Sequence, residues 1–577
     1  MIRAVSHIGV LMGILLGAIG AAAADDRMDA LFSGSADYRL ALSFDAYLPP
    51  PVADPDAEAE APTPALRGRL TLDMAALGGG FQLVRDLYGA AMPDNRIKDL
   101  PNFAFDYVQV GDQMVPLERG IIETAHPYFD YVLTPGRAWH DDGFTTLSLP
   151  IALMEKNANC VHNGALMVRL NSAGDASNAI LQIGSETCAY FQFNFWASYQ
   201  AKWTSTDIGD AEAIGAAYDA EQRSLLPVKP VATIAADHPA LDIDAIEQAD
   251  KIRRADMSTF GVVIDGTHYV GGCNTRLGAY PHCASMVLPS YSLAKSLAGG
   301  LGLMALEKRY PGASDALVAD HVAAFSGEQW NDVTFRHLAD MTTGNYKSAK
   351  PHVDEAAAHY MPFFDAVTSA EKTAFVCDHF KRKSKPGKRW VYHTSDTYLL
   401  GVAMNGFLAA KEGSGADFYR NILVPIWRQL GLSPLSHTIR RTGGEPRQPF
   451  TGYGMVLTRG DIAKIAYALA SANDAFASNF VPEMLGAAMQ RDPDARGKKA
   501  GGADLKYKHS FWGWNAKKAL GCKRDVWLPF LSGYGGISVV MLPNGGVYYY
   551  FSDGGAHLFA TPVKELSNTI DICGEAG

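Results

Sequence analysis

Apolar positions along this chain follow two different periods, and the change between them divides it. Tyr38-Arg-Leu-Ala-Leu-Ser-Phe44 and Leu66-Arg-Gly-Arg-Leu-Thr-Leu72 alternate apolar and polar residues, the period of a half-buried strand. Ile180-Leu-Gln-Ile-Gly184 and Tyr190-Phe-Gln-Phe-Asn-Phe-Trp196 predict further strands, and helical periodicity is scarce up to about residue 225. Pro49-Pro-Pro51 opens an acidic, Ala- and Pro-rich stretch to Pro64 that cannot bury apolar area and reads as a flexible loop. Residues 25–225 are expected to form a β-rich, sandwich-like domain, and the Pro-containing stretch 226–241 a linker.

From residue 242 to 577 strand and helix signals alternate. Phe260-Gly-Val-Val-Ile-Asp265-Gly266-Thr-His-Tyr-Val270 places two strand halves about an Asp-Gly turn, a hairpin signal. A second hairpin is predicted near the end, with Gly536–Leu542 and Val547–Phe551 flanking Pro543-Asn-Gly-Gly546. Between them, helical apolar patterns run over Leu293–Arg309, Thr397–Lys411 and Asp461–Ser471. Strands first and last with helices between predict an α+β class: an antiparallel sheet with helices and a helical subdomain, preceded by the mostly-β domain.

The start of the chain changes the compartment. Arg3 and His7 precede an apolar run, Ile8–Ile19, that ends in Ala21–Ala24 before Asp25, so residues 1–24 read as a cleavable export signal too short to span a bilayer. No later segment reaches roughly 18 uninterrupted apolar residues, so no stable membrane insertion is expected. The mature protein is expected to be exported, periplasmic or secreted. Its seven cysteines suit that setting. Cys160 with Cys188 and Cys273 with Cys283 are the expected disulfides; among Cys377, Cys522 and Cys573 one pair and one leftover thiol are expected, with the pairing open. The net charge of −10 and the lack of a long basic run argue against nucleic acid as a partner. The sequence does not fix the oligomeric state.

Ser292-Leu-Ala-Lys295 is the first candidate for chemistry. In a helix, positions i and i+3 share a face, which brings the hydroxyl within reach of the amine. The segment that follows is apolar nearly all round and predicts a buried helix, and burial lowers a lysine pKa. A serine at the start of such a helix also sits where backbone N–H groups favour an oxyanion. The same spacing recurs at Ser369-Ala-Glu-Lys372, in a charged segment read as a solvated helix face. His393 and Asp396 are expected in loop or cap roles, with Asp396 suited to an N-cap. Trp512 and Trp514 are candidates for a pocket wall or for core packing. Cys160 and His162 look superficially like metal ligands, but the disulfide is preferred. No His-x-x-x-His or paired Cys-x-x-Cys motif is present, so no metal and no other cofactor is expected.

Ser292-x-x-Lys295, followed by Pro386-Gly387, Tyr392-x-Thr394 and Leu399-Leu-Gly401, resembles the serine β-lactamase-like, penicillin-binding-protein-like hydrolases, in particular the class C β-lactamase, esterase and nylon-oligomer hydrolase branch. Val333–Gly344 and Tyr453–Lys464 look like lesser landmarks of that family, so the resemblance covers about residues 240–577. It implies the β-lactamase/transpeptidase fold and acyl transfer with Ser292 as nucleophile, Lys295 as its activating partner and Tyr392 as proton shuttle. Thr394 stands where the family carries Asn or Ser. Leu531-Ser532-Gly533 stands where it carries a strand with Lys-Thr-Gly or His-x-Gly. The resemblance implies that Gly533 lets the backbone approach the acyl group and that the Tyr534 N–H joins that of Ser292 as oxyanion donor. Leu531 replaces a cation that pairs with a substrate carboxylate, unless Lys523 or Arg524 supplies one. A small-molecule ester or amide is therefore the expected substrate. The alternatives are a β-lactamase or D,D-peptidase acting on cell-wall peptides, and an inactive fold used for binding or sensing.

Overall fold

The computed structural model describes residues 27–49, 61–89, 98–248 and 251–574. The expected export signal at 1–24 and most of the expected flexible loop (residues 50–60) lie outside the described residues.

The β-rich region closes on itself instead of forming two facing sheets. Its twelve strand segments form one antiparallel sheet. Four pairs of segments run on across interruptions of one to five residues: Arg67–Leu72 with Gly78–Asp86, Gln113–Pro116 with Gly120–Ile122, Phe129–Leu133 with Gly136–Asp141, and Phe191–Tyr199 with Ala201–Ser205. With Ala104–Val110, Phe144–Glu155, Val161–Leu170 and Ala179–Glu186 these make eight staves in sequence order. The last stave pairs back onto the first through Gly68↔Ser205 and Phe81↔Phe195, so the sheet closes into an up-and-down barrel. Alternation along the strands fills the interior with Phe103, Phe105, Tyr131, Leu149, Leu166 and Phe193 among others. A period of two states that a strand has two faces; it does not state which strand it joins, and that is why closure was not legible.

Three local expectations change. Tyr38–Phe44 alternates as expected but is not a strand: the Leu42 N–H and C=O are both taken by the buried Gln182 side chain, at 2.8 Å each, which replaces a ladder partner. Ala211–Arg223 is a 13-residue helix in a region expected to hold almost none. Within the stretch expected as a linker, Val228–Pro230 is a strand, paired parallel to Thr267–Gly272.

The remainder is α+β. A nine-stranded sheet runs in the order Val228–Pro230, Thr267–Gly272, Met257–Ile264, Val547–Ser552, Ile537–Met541, Trp527–Gly533, Phe511–Asn515, Leu505–Lys508, Lys498–Lys499. Both predicted hairpins are present, with Ile264↔Thr267 and Met541↔Val547 as their closing pairs. One face of the sheet packs on the helices Leu301–Arg309, Thr394–Glu412 and Arg459–Ala470; the other is covered by Ile243–Glu247 and Ala560–Leu566. The barrel is not a loose appendage. Trp139, Met167 and Ile180 on its outer face share a core with the helical layer, and the buried Arg440 guanidinium pairs with the barrel's buried Asp130. Among the described residues no helix is long and apolar enough to cross a membrane.

Disulfides join Cys160 to Cys188, Cys273 to Cys283 and Cys522 to Cys573, with Cα separations of 5.2, 5.8 and 5.4 Å. Cys377 is the free thiol. Cys160 is therefore a bridge, and the neighbouring His162 Nε2 lies 3.1 Å from Glu155 Oε1.

Candidate active site

A sharp turn sets up the first element. Leu288–Pro289 pairs with Val456–Leu457, and the chain then reverses through Ser290 and Tyr291 into a helix. Tyr291 takes φ 41°, a left-handed conformation that costs a non-glycine residue of order 1–3 kcal/mol. Ser292 follows it, half-buried. The predicted helix over Leu293–Arg309 is real but begins wide: Lys295–Gly300 is a π-helix that gives way to the α-helix Leu301–Arg309. Gly299 leaves room for the neighbouring Thr394–Glu412 helix, since a Cβ there would lie 2.6 Å from Thr397 Cγ2. That close approach carries Thr394 to Lys295.

Four of the sequence candidates converge. Lys295 Nζ donates to Ser292 Oγ at 3.0 Å, to Thr394 Oγ1 at 2.9 Å and to the Gly452 carbonyl at 2.7 Å. The Tyr392 hydroxyl donates to Ser292 Oγ at 2.9 Å, and the ammonium lies 5.2 Å from that phenol's ring centre. Lys295 is 2 % exposed. Burial pulls its pKa down to about 8, against an opposing pull from Glu355. Burial drives the Tyr392 phenol far above its ordinary range, with the Glu355 charge adding to it, so the phenol stays protonated at any physiological pH.

The third element, Trp527–Gly533, runs alongside. A Cβ on Gly533 would lie 3.0 Å from the Ser290 carbonyl oxygen and from Leu293 Cδ1, so glycine is what lets this strand edge reach the serine turn. Tyr534 follows it, 44 % exposed, its ring against Tyr291 and against Tyr190 from the barrel. Leu531 is buried in the core. Of the two cations considered in its place, Arg524 is exposed and donates to the carbonyls of Cys573 and Gly574. Trp512 stacks on the Tyr392 ring at 6.1 Å, whereas Trp514 packs against Phe559.

Sequence reasoning missed Glu355. Its carboxylate accepts the Thr394 N–H at 2.9 Å and the Thr394 hydroxyl, which caps the Thr394–Glu412 helix. Burial raises the Glu355 pKa, and the Lys295 charge opposes that rise. Glu355 sits in a turn-rich segment with no period or motif, so no local signal announces it. Asp396 is not the N-cap. That position belongs to His393, and Asp396 lies one turn in, its Oδ1 3.7 Å from His393 Nδ1. His393 Nε2 lies 3.1 Å from Asp354, which also accepts the Lys347 and Ser348 N–H groups at 2.8 Å each. Burial disfavours charge on His393, but hydrogen bonds to Asp354 and Asp396 outweigh it and hold the imidazole up to about 9.

The second Ser-x-x-Lys is no solvated face. Ser369 is 6 % exposed and Lys372 0 %. Lys372 Nζ donates to the Phe363 carbonyl at 2.8 Å and lies over the Phe363 and Phe450 rings, while Ser369 Oγ accepts from Tyr398. A buried lysine alone therefore does not mark a reaction centre; the lysine–serine hydrogen bond at Ser292 is what separates the two copies. A cavity of about 570 Å³ lies elsewhere, between the barrel, the helix Ala211–Arg223 and Thr458–Asp461, and touches none of Ser292, Lys295 or Tyr392.

The Beta-lactamase family model matches residues 246–551, more than half of the 577. No curated protein matches the chain by sequence. Among solved structures it is similar to EstCE1, a hydrolase with promiscuous acyltransferase activity, at 13% identity over 57% of this chain and 97% of that one, with a TM-score of 0.41. It is similar to a penicillin-binding-protein homolog from Caulobacter crescentus at 16% identity over 54% and 91%, TM-score 0.38. A class C beta-lactamase gives 14% identity over 56% and 93%, TM-score 0.39.

Proposed function

The chain belongs to the Beta-lactamase family of hydrolases, and from that premise we propose that it cleaves a carboxylic ester or amide through an acyl-enzyme on Ser292. The observation that carries this reading is the double contact on Ser292 Oγ, from Lys295 Nζ at 3.0 Å and from the Tyr392 hydroxyl at 2.9 Å.

The hydrogen-bond donors of Lys295 support this division of roles. The Lys295 ammonium has three N–H donors and three acceptors. When it loses one proton, two N–H groups stay on Thr394 and Gly452 and the lone pair faces Ser292. Glu355 supports this by taking the Thr394 hydroxyl hydrogen, which leaves the Thr394 oxygen free to accept. With a pKa of about 8, roughly a tenth of Lys295 is neutral at pH 7. Lys295 is the base; Tyr392, held neutral, is a relay.

In acylation the Ser292 O–H proton passes to Lys295 as Oγ bonds to the substrate carbonyl carbon. The oxyanion is held by the N–H groups of Ser292 and Tyr534. The leaving oxygen or nitrogen takes the Tyr392 proton, which Lys295 replaces. Water enters by the reverse relay and releases the acid. The buried Leu531, at the position where the family resemblance implies a cation, favours a substrate without a recognised carboxylate. Three disulfides favour an oxidising compartment and export.

The test is turnover of a p-nitrophenyl ester, an anilide and a chromogenic cephalosporin by wild type and Ser292→Ala. Ester or anilide turnover that depends on Ser292 supports the reading; turnover of the cephalosporin alone replaces it with a β-lactamase.

A further inference from the structure

We propose that the barrel is part of the catalytic machinery, through Asn159 as a positioning residue that holds the Ser292 turn. The proposal rests on Ser292 being the nucleophile.

Asn159 sits at the tip of the hairpin between Phe144–Glu155 and Val161–Leu170, 132 positions before the residue it serves. Its Oδ1 accepts the Tyr291 N–H at 2.5 Å, and its Nδ2 donates to the Met455 carbonyl at 3.1 Å. Ser290 and Met455 are themselves joined, the Ser290 N–H to the Met455 carbonyl at 3.0 Å and the Met455 N–H to Ser290 Oγ at 3.1 Å. One buried amide therefore ties the serine turn to the neighbouring strand Val456–Leu457, which pairs with the strand leading into that turn. It is 1 % exposed.

Tyr291, the residue it grips, is the one with φ 41°. A left-handed non-glycine residue persists only where its surroundings over-determine it. An acceptor presented to its buried N–H does so, and without it that N–H has no replacement from water. The conformation of Tyr291 fixes where Ser292 Oγ stands relative to Lys295 and Tyr392.

The tip is itself held rigidly. Asn157 Nδ2 donates to the Phe364 carbonyl at 2.8 Å, Arg440 donates to the Glu155 carbonyl at 2.8 Å, and Cys160, next in sequence, is bridged to Cys188. Asn159 is thus delivered by a braced hairpin to a strained residue beside the nucleophile. A barrel that served only as a separate binding module has no need of this contact.

The experiment measures the rate of fluorophosphonate labelling at Ser292, with kcat and KM for a p-nitrophenyl ester, in full-length variants. Asn159→Ala is expected to slow labelling and kcat by about 10- to 100-fold with KM changed little, because a small misplacement of the attacking atom is costly. Tyr291→Gly reaches positive φ without strain. In that background adding Asn159→Ala is therefore expected to slow labelling by less than about threefold, a non-additive cycle. If Asn159→Ala does not fold, Asn159→Ser takes its place in both backgrounds. Labelling of Asn159→Ala at the wild-type rate, or losses that simply multiply in the double variant, overturns the proposal while leaving Ser292 as nucleophile. A wild-type protein that labels equally well as Ser292→Ala overturns both.

Discussion

Lys295 donates to Ser292 Oγ at 3.0 Å from a position that solvent scarcely reaches. In the proposed mechanism burial is what fits this lysine to act as a base, and it gives the proposed reaction a pH signature. Because the pKa is lowered to about 8, kcat/KM is expected to rise with unit slope up to about pH 8 and then level off. Lys295→Arg keeps a charge but cannot lose a proton, and is expected to lower kcat at least about a thousandfold. A flat profile from pH 6 to 9, or an active Lys295→Arg, contradicts the assignment.

Glu355 tunes that same group. Its charge opposes the fall of the Lys295 pKa. Removing it in Glu355→Gln is expected to move the rise in kcat/KM to lower pH, while Gln still accepts the Thr394 N–H that caps the helix. A profile displaced to higher pH sinks this account of Glu355.

Tyr392→Phe separates relay from packing. The ring stays against Trp512, and the hydroxyl's hydrogen bond is to Ser292. The variant is expected to fold with stability within about 1 kcal/mol of wild type and to lose roughly 10²–10⁴ in kcat. Thermal melting and steady-state kinetics on one preparation check both halves.

The His393–Asp354 pair makes a stability prediction of opposite sense to the activity profile. His393 is held up to about 9, above its ordinary 6.5, so its contribution is complete below about pH 6.5 and is lost as pH rises through 9. The contribution is on the order of 3 kcal/mol. Stability by chemical denaturation is expected to fall across that window, and the gap between wild type and Asp354→Asn to narrow with it. A gap that widens from pH 6.5 to 9 refutes the pairing.

Ser292 and Lys295 lie one helical turn apart, a spacing the sequence shows but repeats at Ser369 and Lys372; Tyr392 and Thr394 were reached through the family resemblance of the segment around them. The parts that hold the centre act through space. Glu355 reaches Thr394 from a turn, Gly452 contributes only a carbonyl, and Asn159 comes from another half of the molecule. None leaves a period in the sequence. The same limit explains the misread strand at Tyr38–Phe44, where a buried glutamine took the place of a strand partner, and the misread Lys372, whose aromatic surroundings come from Phe363 and Phe450.

A covalent acyl-enzyme on Ser292 is detectable by intact-mass analysis after rapid quenching with a p-nitrophenyl ester, followed by peptide mapping. An added acyl mass is expected on the peptide bearing Ser292, absent in Ser292→Ala and longer-lived in Tyr392→Phe. Ester turnover with the adduct on another residue, or undiminished in Ser292→Ala, contradicts the proposed acyl-enzyme.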